Sequence, residues 1–196
     1  MTFLRGFFPW IAYGAVAWAS WQWAALLGLV IGCVVLYADR AEGLSPSFRV
    51  LEYGSLVFFA GITVLAFVRP DSGLRTYDGA LSSGWLALVT WGSMAARRPF
   101  TLAIARRKAP PEVWRTRLFL RINYVLSAAW AASFTFAAAG QALVTGYGLG
   151  LTAMISIHLS AFVIPLRFTA SYPERARARF LEKAGGHPYV QEAQPA

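Results

Sequence analysis

The sequence predicts an all-α integral membrane protein, a bundle of six transmembrane helices. Three observations predict it. Of the 196 residues 57% are apolar and 14% charged, against roughly a quarter charged in soluble domains, and the mean hydropathy is +0.49. The apolar residues gather in runs long enough to cross a hydrocarbon core of about 30 Å at about 1.5 Å per helical residue. The cations concentrate between two such runs: residues 97–121 hold eight of the eighteen against one acid, Glu112. Short loops rich in Lys and Arg stay on the cytoplasmic side of a membrane. This connector is therefore expected inside, and the other loops alternate from it.

Residues 3–20 are the first expected span, with Pro9 bending or fraying its early turns. Trp18, Trp21 and Trp23 surround the uncharged Gln22, as in an interfacial aromatic belt at a tight outer turn. A re-entrant first segment followed by five full spans is the alternative. Arg5 before an apolar run, with Ala15, Ala17 and Ala19 at A-x-A spacing, also fits a cleaved secretory signal. Trp18 and Trp21 crowd that cleavage site and a second apolar run follows at once, so an uncleaved span is the better reading.

Residues 23–38 return to the inside as the second span. Ala24, Gly28 and Gly32 repeat every four residues, a stripe that lets another helix approach closely. A partner within the same chain is favoured over a homodimer. Residues 39–47 carry Gly, Pro and mixed charge, as a short turn should. The third span is 48–68, with Arg49 and Glu52 near its inner end. An outer loop over 69–78 balances Arg69 and Arg75 against Asp71 and Asp78. The fourth span, 79–96, offers Ser82, Ser83, Thr90 and Ser93 for hydrogen bonds to neighbouring helices.

In the basic connector, residues 99–108 fit a short surface-lying helix. Phe100, Ala103 and Ile104 share one face, and Arg106, Arg107 and Lys108 cluster at its end, where anionic lipid contributes on the order of 1 kcal/mol per cation. Pro110 and Pro111 stop it, and Trp114 falls at the inner interface. In the fifth span, 118–140, Asn123, Ser127, Trp130 and Phe134 recur at helical spacing, and Arg121 points elsewhere. Residues 141–146 are uncharged and read as an outer loop. The sixth span, 147–168, has His158 near its middle and Pro165 as a kink. Residues 1–170 thus form the bundle and 171–196 a polar cytoplasmic tail, in which Pro173 opens a short amphipathic helix that Gly185 and Gly186 end. With both termini inside, sixteen cations are cytoplasmic and two, Arg69 and Arg75, are not.

Several chemistries find no residues to carry them. The cations flank apolar spans instead of lining one polar face, which disfavours nucleic acid. Cys33 is the only cysteine, so there is no disulfide framework and no Cys-based metal set. His187 falls in the tail, which rules out two axial haem histidines from one bundle, and zinc lacks ligands. No GxSxG elbow or triad can be assembled, and Glu52, Asp39 and Glu42 are too few to name a lipid reaction. No cofactor is expected. An ionisable group near the bilayer centre often marks a proton or substrate path. His158 is therefore the sharpest single residue, on a face with Leu151, Met154, Ile155, Phe162 and Pro165, although a neutral imidazole satisfied by one neighbour is the simpler reading. Its own helix supplies no acid to make a relay.

At the basic connector and its flanks the chain resembles the bacterial intracellular septation protein A family of inner-membrane-spanning proteins. The resemblance is carried by Phe7, Phe8 and Pro9 before two closely spaced spans, by Arg97, Arg98 and Pro99, by Trp114 after a proline-containing linker, and by Asn123 followed by Trp130, Ala131 and Phe134. It implies a non-enzymatic part in envelope maintenance or septation at the bacterial inner membrane, through lipids or division proteins. Arg97, Arg98, Arg106, Arg107, Lys108 and Trp114 are then the expected lipid- or partner-binding residues. The alternative is a small solute or proton-coupled transporter in which His158, Asn123 and Ser127 line one polar path.

Overall fold

The computed structural model describes residues 6–41, 50–107 and 109–185. Helix accounts for 88% of them and no strand occurs among them. The elements are α1 (Phe8–Ala17), α2 (Trp21–Ala41), α3 (Val50–Val68), a 3-10 turn (Gly73–Tyr77), α4 (Asp78–Ala95), α5 (Thr101–Arg106), a second 3-10 turn (Pro111–Val113), α6 (Arg117–Tyr147) and α7 (Gly150–Gly185). Among the described residues α2, α3, α6 and α7 are long and apolar enough to cross a membrane. α4 matches α3 in length to within a residue but is less apolar, since it carries Asp78, three serines and Thr90, of which Ser82, Thr90 and Ser93 donate to carbonyls of their own helix.

Each of the longer helices packs beside its sequence neighbour: α1 on α2, α2 on α3, α3 on α4, α4 on α6 and α6 on α7. One core cluster joins α1, α2 and α3 through Tyr13, Trp21, Ala24, Phe58, Phe59 and Ile62. A second gathers Phe7, Leu51, Leu86, Phe100, Trp130 and Phe134. α1 is pinned to α3 where Trp10 Nε1 donates to Ser55 Oγ at 2.8 Å. The opposite faces carry exposed apolar rows, such as Trp23, Leu27, Val30 and Val34 on α2 and Leu151, Ile155 and Leu159 on α7. Apolar surface of that extent suits lipid as the solvent.

The small-residue stripe packs within the chain. Ala24, Gly28 and Gly32 are buried, and a Cβ on Gly28 would stand 2.6 Å from the Phe59 ring while one on Gly32 would meet Leu56 at 3.0 Å. The stripe Asn123, Ser127, Trp130 and Phe134 is likewise buried as one face of α6.

Several boundaries differ from those expected. The described part of the first span is a ten-residue helix rising about 15 Å, half of a hydrocarbon core; residues 3–5, with Arg5, lie outside the described residues. Gly6 nonetheless reaches Leu51, one residue from the start of α3. The uncharged stretch 141–146 is not a loop. α6 runs through it to Tyr147, and the connection to α7 is only Gly148 and Leu149. The sixth span does not end at 168 either, since α7 continues without interruption past Pro165 and Pro173 to Gly185. A proline removes one helical hydrogen bond, and for Pro165 the freed acceptor is Ala161 O, which Ser133 Oγ on α6 satisfies at 2.6 Å. The third span begins at Val50; Arg49 and most of the preceding turn, with Glu42, lie outside the described residues, as do Gly186, His187 and the rest of the tail.

Two helix ends share one device. At the end of α6, Gly148 takes φ 63°, its N–H bonds Thr145 O, and Leu149 N–H bonds Val144 O. At the end of α4, Arg97 takes φ 57°, its N–H bonds Met94 O, and Arg98 N–H bonds Ser93 O. Both are Schellman caps. The basic-basic-proline step is thus a helix terminator, with Arg97 in a conformation that favours glycine. Thr116 starts α6 by accepting from Phe119 N–H at 3.3 Å.

Candidate functional site

The end of the bundle at Arg97 and Arg98 is here termed the basic end. At the far end, four helices bring polar side chains to one cavity of about 470 Å³. α1 contributes Tyr13, α4 contributes Asp78, Ser82 and Ser83, α6 contributes Gln141, and α7 contributes His158. Phe7, Trp10, Phe134 and Phe162 form much of the remaining wall. Asp78 opens α4, whose first-turn amide groups favour a carboxylate there. Gln141 lies about 9 Å below the far end of α6 and His158 about 12 Å along α7 from its start, counting helical rise.

The hydrogen bonds assign roles to these groups. Tyr13 OH donates to Asp78 Oδ1. Gln141 is fully buried, its Nε2 donates to Ser83 Oγ at 3.0 Å, and its Oε1 has no hydrogen-bond partner among the described residues. Gln141 Oε1 rests against Gly79, where any Cβ would collide with it. Ser82 Oγ donates back to Asp78 O at 2.8 Å. His158, at the exposed mouth, places Nδ1 3.0 Å from Met154 O and lies within electrostatic reach of Asp78. A carbonyl only accepts, so Nδ1 carries a proton, and it is Nε2 that faces away from this bond and can accept in the Nδ1–H tautomer. The acceptors left over are the Asp78 carboxylate, Gln141 Oε1 and His158 Nε2, and the Ser83 hydroxyl, which accepts from Gln141, keeps its own O–H to donate. Aromatic faces surround them.

Sequence reasoning singled out His158 and missed its partners. The acid comes from another helix, across a gap of eighty positions, and Asp78 reads from the sequence as one charge in a balanced loop. Gln141 reads as a loop residue. The face expected around His158 is split, for Met154 and Phe162 line the cavity and Pro165 is buried, whereas Leu151 and Ile155 are exposed.

Asn123 and Ser127 do not join His158. Asn123 lines a second cavity region at the basic end, where its Nδ2 donates to Phe119 O at 2.8 Å, and Thr101 Oγ1 bridges Asn123 O and the buried Ser127 Oγ, both at 2.9 Å. That network docks α5 onto α6. Phe100, Thr101 and Leu102 are consequently buried in the bundle, so the face with Phe100 does not lie free for insertion into lipid. Ala103 and Ile104 are half-buried. Among the connector cations, Arg97 and Arg98 are exposed, Arg107 is half-buried, and Lys108 lies outside the described residues. Arg106 stacks over Trp114 with its guanidinium 5.3 Å from the ring centre, and Trp114 Nε1 donates to Ala109 O at 2.8 Å. Burial, and then the charge of Arg115, push Arg106 below its usual range; a guanidinium remains protonated all the same.

No family model, curated protein or solved structure matches this chain. Its chemistry is read from its own side chains.

Proposed function

We propose that the protein is a small carrier of the bacterial cytoplasmic membrane that binds a small organic cation in the far-end cavity. The supporting observation is the cavity's inventory: a carboxylate, an amide oxygen without a partner and an imidazole lone pair, walled by Phe7, Trp10, Phe134 and Phe162. Acceptors in excess of donors suit a ligand that brings N–H groups and positive charge. Aromatic faces attract the same charge by about 0.5–2 kcal/mol each. Asp78 is the counter-charge, and a proton there competes with the cation, with Tyr13 and His158 the other titratable groups of the cavity. Cation and proton would then exchange.

The six-span arrangement belongs to this proposal. α1, which follows α3 toward the basic end, and α4, with its eighteen residues, join the four long apolar helices. Both termini are cytoplasmic and the cavity opens outward.

The test uses the chain reconstituted in liposomes with 2-phenylethylammonium as probe and 2-phenylethanol as its neutral isostere. Saturable uptake of the amine, not of the alcohol, is expected, and Asp78→Asn reduces it at least tenfold while leaving the thermal midpoint in detergent within a few degrees. Equal handling of amine and alcohol would overturn the reading.

A second reading, envelope maintenance or septation through lipid or protein contacts of the connector, is supported by the exposure of Arg97 and Arg98. Replacing both by Gln would mislocalise a division or envelope partner under that reading and leave amine uptake intact.

A further inference from the structure

The basic end holds a second and larger space, a groove of about 1060 Å³ between α5, the linker after it, α6 and α7. Small-ligand pockets run to roughly 1,000 Å³, so this one is sized for an amphiphile. It is independent of the far-end cavity. Ile122 and Leu126 of α6 and Leu166 of α7 make apolar walls. Among the described residues Arg177 is the one charged side chain that lines it.

Asn123 and Arg177, both lining the groove, stand at one height. Trp130 Nε1 meets Thr169 Oγ1 at 3.0 Å across the antiparallel pair α6 and α7. Asn123 is seven residues from Trp130 toward the start of α6, and Arg177 is eight residues beyond Thr169 on α7, so their Cα positions lie at nearly equal depth. Asn123 is 1% exposed, and its Oδ1 has no hydrogen-bond partner among the described residues. A buried acceptor of that kind calls for a donor. A guanidinium and an amide oxygen at one level, with apolar walls running from there toward the bundle centre, match a phosphate, a headgroup hydroxyl and an acyl chain. Phe180 and Leu181 extend the apolar rim beyond that level, 53% and 68% exposed, on a stretch of α7 that also carries Arg175 and Arg179.

We propose that this groove binds one anionic glycerophospholipid of the adjoining leaflet, its phosphate on Arg177, a headgroup hydroxyl on Asn123 Oδ1 and one acyl chain along Ile122, Leu126 and Leu166. The site differs from the loop cations Arg97, Arg98 and Arg107, which attract a charged surface without selecting a molecule.

Native mass spectrometry of the intact chain in non-ionic detergent, titrated with phosphatidylglycerol or phosphatidylcholine, tests this. One phosphatidylglycerol per chain is expected to survive gentle activation, retained at least tenfold better than phosphatidylcholine. Arg177→Gln, at an exposed position, should abolish that preference, and Ala170→Trp, which enters the groove from another exposed position, should abolish retention of both lipids. Equal retention of the two lipids by the wild type would overturn the proposal, as would an unchanged preference in Arg177→Gln. Truncation after Gly185 should leave retention unaltered; a severalfold rise would mean that the chain's own terminus fills the groove, which also overturns it.

Discussion

Arg97 shows what a single residue contributes on two levels. As a cation it belongs to the basic connector from which a cytoplasmic orientation is proposed, and as the left-handed residue of the α4 cap it occupies a position that a side chain with Cβ disfavours by about 1–2 kcal/mol. Arg97→Gly should therefore raise the stability of the detergent-solubilised protein by about 1 kcal/mol, read as a higher thermal midpoint; a lower midpoint would mean that the side chain makes contacts that outweigh the backbone. The sequence showed the three residues Arg97, Arg98 and Pro99 but not their conformation, because the step has the look of a charge cluster. Tyr13, Asp78 and His158 were hidden for a different reason. Each is ordinary in its own segment, and only the tertiary meeting of α1, α4 and α7 makes them one site. Gly79 gave no sign that Gln141 needs the space beside it.

Among the elements, those with strong periodicity were legible. The four-residue repeat of Ala24, Gly28 and Gly32 and the stripe from Asn123 to Phe134 are buried as their spacing required, since side chains at i and i+4 share a face. Gly28→Ala would bring a methyl group to 2.6 Å of the Phe59 ring, and such overpacking costs about 1–3 kcal/mol. We expect a lowered thermal midpoint with no change in oligomeric state; dissociation of a dimer would show that the stripe faces a second copy. Ends of elements were poorly legible. Gln141 is polar but buried against Ser83, so polarity suggested a loop where α6 continues. Pro173 resembled a helix start, yet α7 passes through it, because a helix tolerates a proline at the loss of one hydrogen bond when neighbouring packing holds the turn.

At the scale of the whole molecule, apolar content carried the all-helical class, and of the six spans expected four are helices long and apolar enough to cross a membrane among the described residues. Apolar content and cation placement could not carry the division of labour between the two ends. One end gathers acceptors and aromatic rings around Asp78, the other pairs an apolar groove with Arg177. Both assignments depend on which end faces the cytoplasm, and transferring the basic end across the bilayer is opposed by each of its cations. The direct measurement starts from a Cys33→Ala background, since Cys33 is free and exposed, with single cysteines at Thr76 near the far end and Glu112 at the basic end, both exposed. A membrane-impermeant maleimide added to intact cells should label Thr76→Cys at once and Glu112→Cys only after permeabilisation. Labelling of Glu112→Cys in intact cells, with Thr76→Cys protected, would contradict the account.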